Sequence, residues 1–277
     1  MLEFAFMRRS LIVGIMLAII IPMIGIIMIN RKTSMIGDAL SHSSLAGIAL
    51  GLILNINLLV SSLLICILAS FAIEILRAKF PKYGDMATAI VMSTGIAIAS
   101  ILSDFSPGGN SFESFIFGSI TTVGNEDLFI VLLVFILVVI SSIYLYYALL
   151  YTSINPVLAR LAGVNTKAIN ILFTFITALT VAISAKTVGA LMITSLMSIP
   201  VATSMIISKS YKQMYGISII LSVFFMISGI SLSYYLGLKP GGAIVIIAII
   251  TFLLVSLIKY LKNNLKKVGQ GLLFSML

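Results

Sequence analysis

Long apolar runs separated by short polar clusters recur along the whole chain. The runs predict helices at about 11–29, 36–54, 58–76, 86–102, 128–150, 168–185, 188–207, 214–236 and 243–259. Roughly 20 apolar residues in a helix rising 1.5 Å each are needed to cross a hydrocarbon layer of about 30 Å, and each run approaches that length. The pattern therefore predicts an all-α polytopic membrane protein with nine spans, or eight if one run stays on one side. Pro22 falls inside the first run and Pro200 inside the seventh, where each removes a backbone hydrogen bond and is expected to kink its helix.

The polar breaks differ in sign. Arg77, Lys79 and Lys82 surround Pro81, residues 152–167 form the longest polar stretch on the basic side, and Lys209 and Lys212 mark a third basic loop. Residues 104–127 carry four acidic residues and no Lys or Arg, with a Pro107-Gly108-Gly109 turn. The positive-inside rule places the basic loops and the tail 260–277 in the cytoplasm and the acidic stretch outside. The N-terminus then falls outside, and Arg8 and Arg9 depart from the rule. The aromatic lead 1–9 is expected to lie along the membrane surface. The apolar portion 112–120 is too short to cross and is expected to be re-entrant or interfacial.

Composition narrows the class. Charged residues make up 9% of the 277, against about 25% in a soluble domain, so the whole chain 1–277 reads as one membrane domain. The formal charge of +9 lies in short loops and the tail, which calls for topology rather than nucleic acid as its explanation. No G-x-x-x-x-G-K-[ST] loop occurs, so nucleotide hydrolysis by P-loop chemistry is not expected of this chain. No short apolar core with a small-residue cleavage site precedes the first run. The single cysteine, Cys66, lies in an apolar run and reads as a core residue.

Candidate chemistry concentrates in Gly37-Asp38-Ala39-Leu40-Ser41-His42-Ser43-Ser44-Leu45-Ala46-Gly47-Ile48-Ala49-Leu50-Gly51, which holds the only histidine. Asp38 and His42 are four residues apart and share one helical face, and Ala46 and Ala49 continue it. A carboxylate and an imidazole on one side can hold a divalent cation. They can equally sit idle near a helix end. The cost of placing Asp38 in a membrane, about 2.5–3.5 kcal/mol at the centre of a bilayer, makes it a functional candidate. A second candidate is Asn155-Pro156-Val157-Leu158-Ala159-Arg160, with Asn at an N-cap, Pro in the first turn and Gly163 closing the segment. It reads either as an ordinary inter-span loop or as a short docking helix. Gly189 and Pro200, with small residues around them, would loosen the seventh helix for a pathway or for packing.

The 37–51 stretch resembles the signature G-D-A-[LI]-S-H-[SA]-x-L-x-G of the membrane permeases of ABC importers for zinc, manganese or iron. Phe117-Gly118-Ser119 with Glu126-Asp127-Leu128, and Val188-Gly189-Ala190-Leu191 with Pro200-Val201-Ala202-Thr203, are similar to further phrases of that family, and the likeness runs from Phe6 to Gly242. Ile154-Asn155 stands where the family reads Phe-Asp, which puts a charge contact through that aspartate in doubt. The Gly237–Gly242 turn matches only in part.

The resemblance implies a homodimeric permease with two ABC ATPase subunits inside and an extracytoplasmic metal-binding receptor outside, in a prokaryotic plasma membrane. It implies Asp38 and His42 as ligands of the transported zinc, manganese or iron ion, with no permanently bound cofactor. Asn155, Pro156, Ala159, Arg160 and Gly163 become the ATPase contact. An ion-coupled secondary cation transporter would predict more membrane carboxylates than Asp38 and Glu74 and a repeat of the site in the other half. An intramembrane hydrolase lacks a second histidine for a zinc site and a suitably placed base for serine chemistry.

Overall fold

A computed structural model describes residues 4–105, 115–118 and 124–275, with side chains to residue 262. Its elements are α1 (Ala5–Asn30), α2 (Met35–Leu54), α3 (Leu58–Lys79), α4 (Gly84–Asp104), α5 (Asn125–Tyr144), α6 (Tyr146–Ile154), α7 (Pro156–Leu161), α8 (Thr166–Val188), a 3₁₀ turn (Ala190–Met192), α9 (Ile193–Ile207), α10 (Tyr211–Leu236) and α11 (Pro240–Ser275). Among the described residues, nine segments are long and apolar enough to cross a membrane, in the order the hydropathy pattern predicts.

Helix ends follow local chemistry. Asn57, Asn155, Asn165 and Ser210 accept backbone N–H groups at the starts of α3, α7, α8 and α10. Asn55 and Gly237 close α2 and α10 in the left-handed conformation. Several buried hydroxyls satisfy themselves within their own helices, as Ser43 does on Ala39, Thr180 on Ile176 and Ser184 on Thr180. No charge is needed to place these polar groups in an apolar bundle.

Helices α1, α2 and α8 are the most enclosed, while α3, α4, α5 and α11 present apolar side chains outward, as lipid-facing helices do. Small residues bring α2 close to its neighbours. A Cβ on Gly47 would collide with Ser62, and one on Gly95 with Ser43, while Ser61 Oγ donates to the Gly47 carbonyl at 2.6 Å. Gly25 of α1 meets the Met197 carbonyl of α9 in the same way.

Several boundaries differ from the sequence expectation. From Ala5 the N-terminal lead is part of α1, and Met7 is fully buried. The fifth run divides at Leu145, where Tyr146 turns its ring edge-on to Tyr211 and Tyr215 of α10, each 5.8 Å away. The break expected at Lys186-Thr187 comes at Gly189 instead, at φ +96°. The basic segment from residue 260 continues α11 as far as Ser275. Of the expected re-entrant stretch 112–120, only 115–118 lies within the described residues, with Phe115 buried and Gly118 against the Val188 backbone.

Polar contacts sort to the two ends of the bundle. At the basic end, Arg31 donates to Asn170 and Thr152, and Arg160 Nε to Thr166. At the other end, Asn57 Nδ2 donates to Glu126 Oε2 at 3.2 Å, and Lys186 Nζ to Asp127 Oδ2 at 2.7 Å. Arg31, Arg77 and Arg160 thus gather around one cavity, and the acidic Glu126 and Asp127 around another with Lys186.

Candidate metal-transit site and docking helix

Helix α2 is buried along nearly all its length, yet Asp38 and His42 remain partly accessible. Ionisable groups on an enclosed membrane helix are costly to place and so are functional candidates. Asp38 sits in the first turn, where the positive end of the helix dipole favours a carboxylate. Its Oδ1 accepts a hydrogen bond from Thr194 Oγ1 of α9 at 2.6 Å. The absence of a side chain at Gly37 lets α9 approach, since a Cβ there would lie 3.3 Å from both Met197 Sδ and Thr194 Cγ2.

Thr194 reaches this position because the chain breaks just before it. Gly189 takes a φ closed to other residues without strain, the 3₁₀ turn follows, and α9 begins at Ile193. Around the break, backbones touch: a Cβ on Gly189 would collide with Phe117, and one on Gly241 with the Val188 carbonyl. Gly189 is thus a conformational and packing requirement. Pro200 lies inside α9 and is buried.

One Asp38 oxygen is committed to Thr194, and the His42 imidazole hydrogen-bonds no described residue. The pair therefore offers a carboxylate oxygen and a ring nitrogen. Among the described residues, no group of three or more His, Cys, Asp or Glu side chains converges. Two donors are half of the four that tetrahedral zinc takes, so a single chain supplies an incomplete shell.

The second candidate is a real helix. Asn155 Oδ1 accepts Val157 N at 2.9 Å and Leu158 N at 3.2 Å, Pro156 opens α7, and Gly163 follows it at φ +82°. Ala159 is buried, whereas Val157, Leu158 and Leu161 stand exposed at the basic end. Asn155 makes the cap without a charge, so the departure from Phe-Asp leaves the local fold intact.

Sequence reasoning missed two partners. Thr194 is one. The other is Lys186, read as part of a break but forming with Asp127 a salt bridge whose side chains are only 12% and 7% exposed. Asp127 Oδ2 also accepts Gly124 N at 2.6 Å. The signal available was positional: both charges fall at the same end of neighbouring spans.

A bundle of membrane-length helices, with an ionisable pair on an enclosed helix and a capped short helix at its basic end, is the architecture of a polytopic membrane protein. The chain belongs to the ABC 3 transport family, whose model matches residues 3–259. It is 32% identical over 255 residues to the high-affinity zinc uptake system membrane protein ZnuB of Haemophilus influenzae, covering 91% of this chain and 97% of that one. It is 31% identical to a probable metal transport system membrane protein of Treponema pallidum, covering 92% and 96%. The solved structure of PsaBC from Streptococcus pneumoniae in complex with Fab matches with a TM-score of 0.81 at 26% identity, covering 91% of each chain. An inward-facing metal-chelate type ABC transporter shares the fold, with a TM-score of 0.75 at 16% identity over 90% of this chain and 84% of that one.

Proposed function

We propose that the chain is the membrane subunit of an ATP-driven importer that carries a divalent transition metal ion, zinc, manganese or iron, into a prokaryotic cell by alternating access. The observation that supports this reading best is the half-accessible Asp38–His42 pair, with Asp38 oriented by Thr194. Two copies of the chain related by a two-fold axis bring two carboxylates and two imidazoles around one ion. Two aspartates neutralise a divalent charge and remove most of the cost of carrying it through a low-dielectric gate. Two oxygens and two nitrogens suit zinc, while manganese or iron would add water or carbonyl oxygens. A sparse set also releases its ion, as a transit site must.

The metals named for the relatives, zinc for ZnuB and manganese for the Listeria monocytogenes protein MntC, support this substrate class. ATP hydrolysis belongs to two separate ATPase subunits docked on α7 through Asn155, Pro156, Ala159, Arg160 and Gly163. An extracytoplasmic metal-binding receptor delivers the ion at the acidic end. Reconstitution tests the reading. Asp38→Ala and His42→Ala are expected to abolish metal uptake while the ATPase still associates, and normal uptake by both would remove the assignment.

A further inference from the structure

A cavity of about 260 Å³ opens at the basic end, between the α1–α2 turn, the last turns of α3, and the corner formed by α6, α7 and α8. Arg31, Lys32, Arg77 and Arg160 line it, with Glu74 as the one carboxylate. Glu74 is already engaged, accepting from Thr174 Oγ1 at 2.6 Å with Arg77 Nη1 3.8 Å away. No other salt bridge involves these cations among the described residues.

Arg31 is the group held most tightly. Its guanidinium lies 4.9 Å from the centre of the Phe173 ring and donates to Asn170 Oδ1 at 2.9 Å and to Thr152 Oγ1. Its Nε is buried with no acceptor. Burial first, and then the charge of Arg77, pull its pKa down to about 10. Arg160 spends Nε on Thr166 at 3.0 Å. Lys32 keeps a long cationic side chain at φ +56°, a position that glycine or asparagine takes more easily. The wall thus holds an excess of cations, an unused buried donor and room for a polyatomic ligand.

We infer that this cavity binds a phosphoryl group. A divalent cation is repelled by the wall, and a single carboxylate would balance only one of the surplus charges. A phosphoryl group presents several acceptor oxygens, which match the fork of an arginine and reach two or more cations together. Two sources carry this chemistry: the headgroup of an anionic lipid, which basic pockets between helices at the cytoplasmic face accommodate, and free phosphate. Once bound, the group ties Arg160 on α7 to Arg31 and Lys32, on the turn that leads into α2.

Native mass spectrometry of the full-length chain with phosphatidylglycerol or phosphatidylcholine, paired with thermal melts in inorganic phosphate, tests the site. It does so without reference to transport. Retention of phosphatidylglycerol over phosphatidylcholine, undisturbed by phosphate, assigns a lipid headgroup. A saturable rise in melting temperature with phosphate assigns the free anion. In either case Lys32→Gln, an exposed position that the fold tolerates, and Arg77→Gln should each weaken binding about tenfold, the effect of losing roughly 1.4 kcal/mol. Lys209→Gln, in another basic loop, should leave it unchanged. Failure of both ligands to bind, or equal binding by the wild type and both cavity variants, would overturn the inference.

Discussion

Thr194 Oγ1 lies 2.6 Å from Asp38 Oδ1 across 156 residues of sequence. This one hydrogen bond joins the helix that bears the ionisable pair to the helix that follows the Gly189 break. It fixes which Asp38 oxygen remains available. A hydrogen bond to a carboxylate contributes about 1.5–3 kcal/mol. Thr194→Val, which keeps the shape and removes the donor, should lower apparent metal affinity in uptake assays by about tenfold or more. Thr194→Ser should retain most of it.

Lys186 and Asp127 make a largely buried ion pair that also anchors Gly124 at the start of α5. Removing one partner strands the other charge and costs about 3–5 kcal/mol, whereas removing both is far milder. Asp127→Asn and Lys186→Met should each lower the melting temperature markedly, and the double variant should recover much of the loss. A thermal double-mutant cycle reads the coupling directly.

Two glycine-to-alanine changes should act in opposite directions. On Gly25 the added methyl collides with the Met197 backbone, and α1 and α9 must separate. On Gly216, inside α10, nothing lies within 4 Å. Gly216→Ala should stabilise by about 0.5–1 kcal/mol through helix propensity, while Gly25→Ala should destabilise. Melting temperatures of the two variants check this.

The cap of α7 gives a further test. Asn155→Ala removes the acceptor for Val157 and Leu158 N–H and should cost about 1 kcal/mol locally. Asn155→Asp should preserve the helix. Arg160→Glu and Pro156→Gly should weaken association with the ATPase, as measured by co-purification. Unchanged recovery of the complex would count against α7 as the contact.

What could be read from the sequence was local. Span order follows from hydropathy, and the α7 cap from Asn155-Pro156. Asp38 and His42 share a face because helical geometry sets i and i+4 together. What could not be read was pairing at a distance. Thr194 is an ordinary hydroxyl in an apolar run until α9 packs on Gly37. Lys186 looks like a break because a cation usually ends a span, yet it pairs with Asp127 and lies within α8, which continues to Val188. Likewise Leu145 divides an unbroken apolar run because Tyr146 packs on α10, a contact that hydropathy does not encode.

Metal stoichiometry tests the proposed ion site shared between two chains most directly. Equilibrium dialysis with zinc or manganese should give one tightly bound ion per two chains, lost in both Asp38→Ala and His42→Ala. One ion per chain, or binding that survives both substitutions, would contradict it.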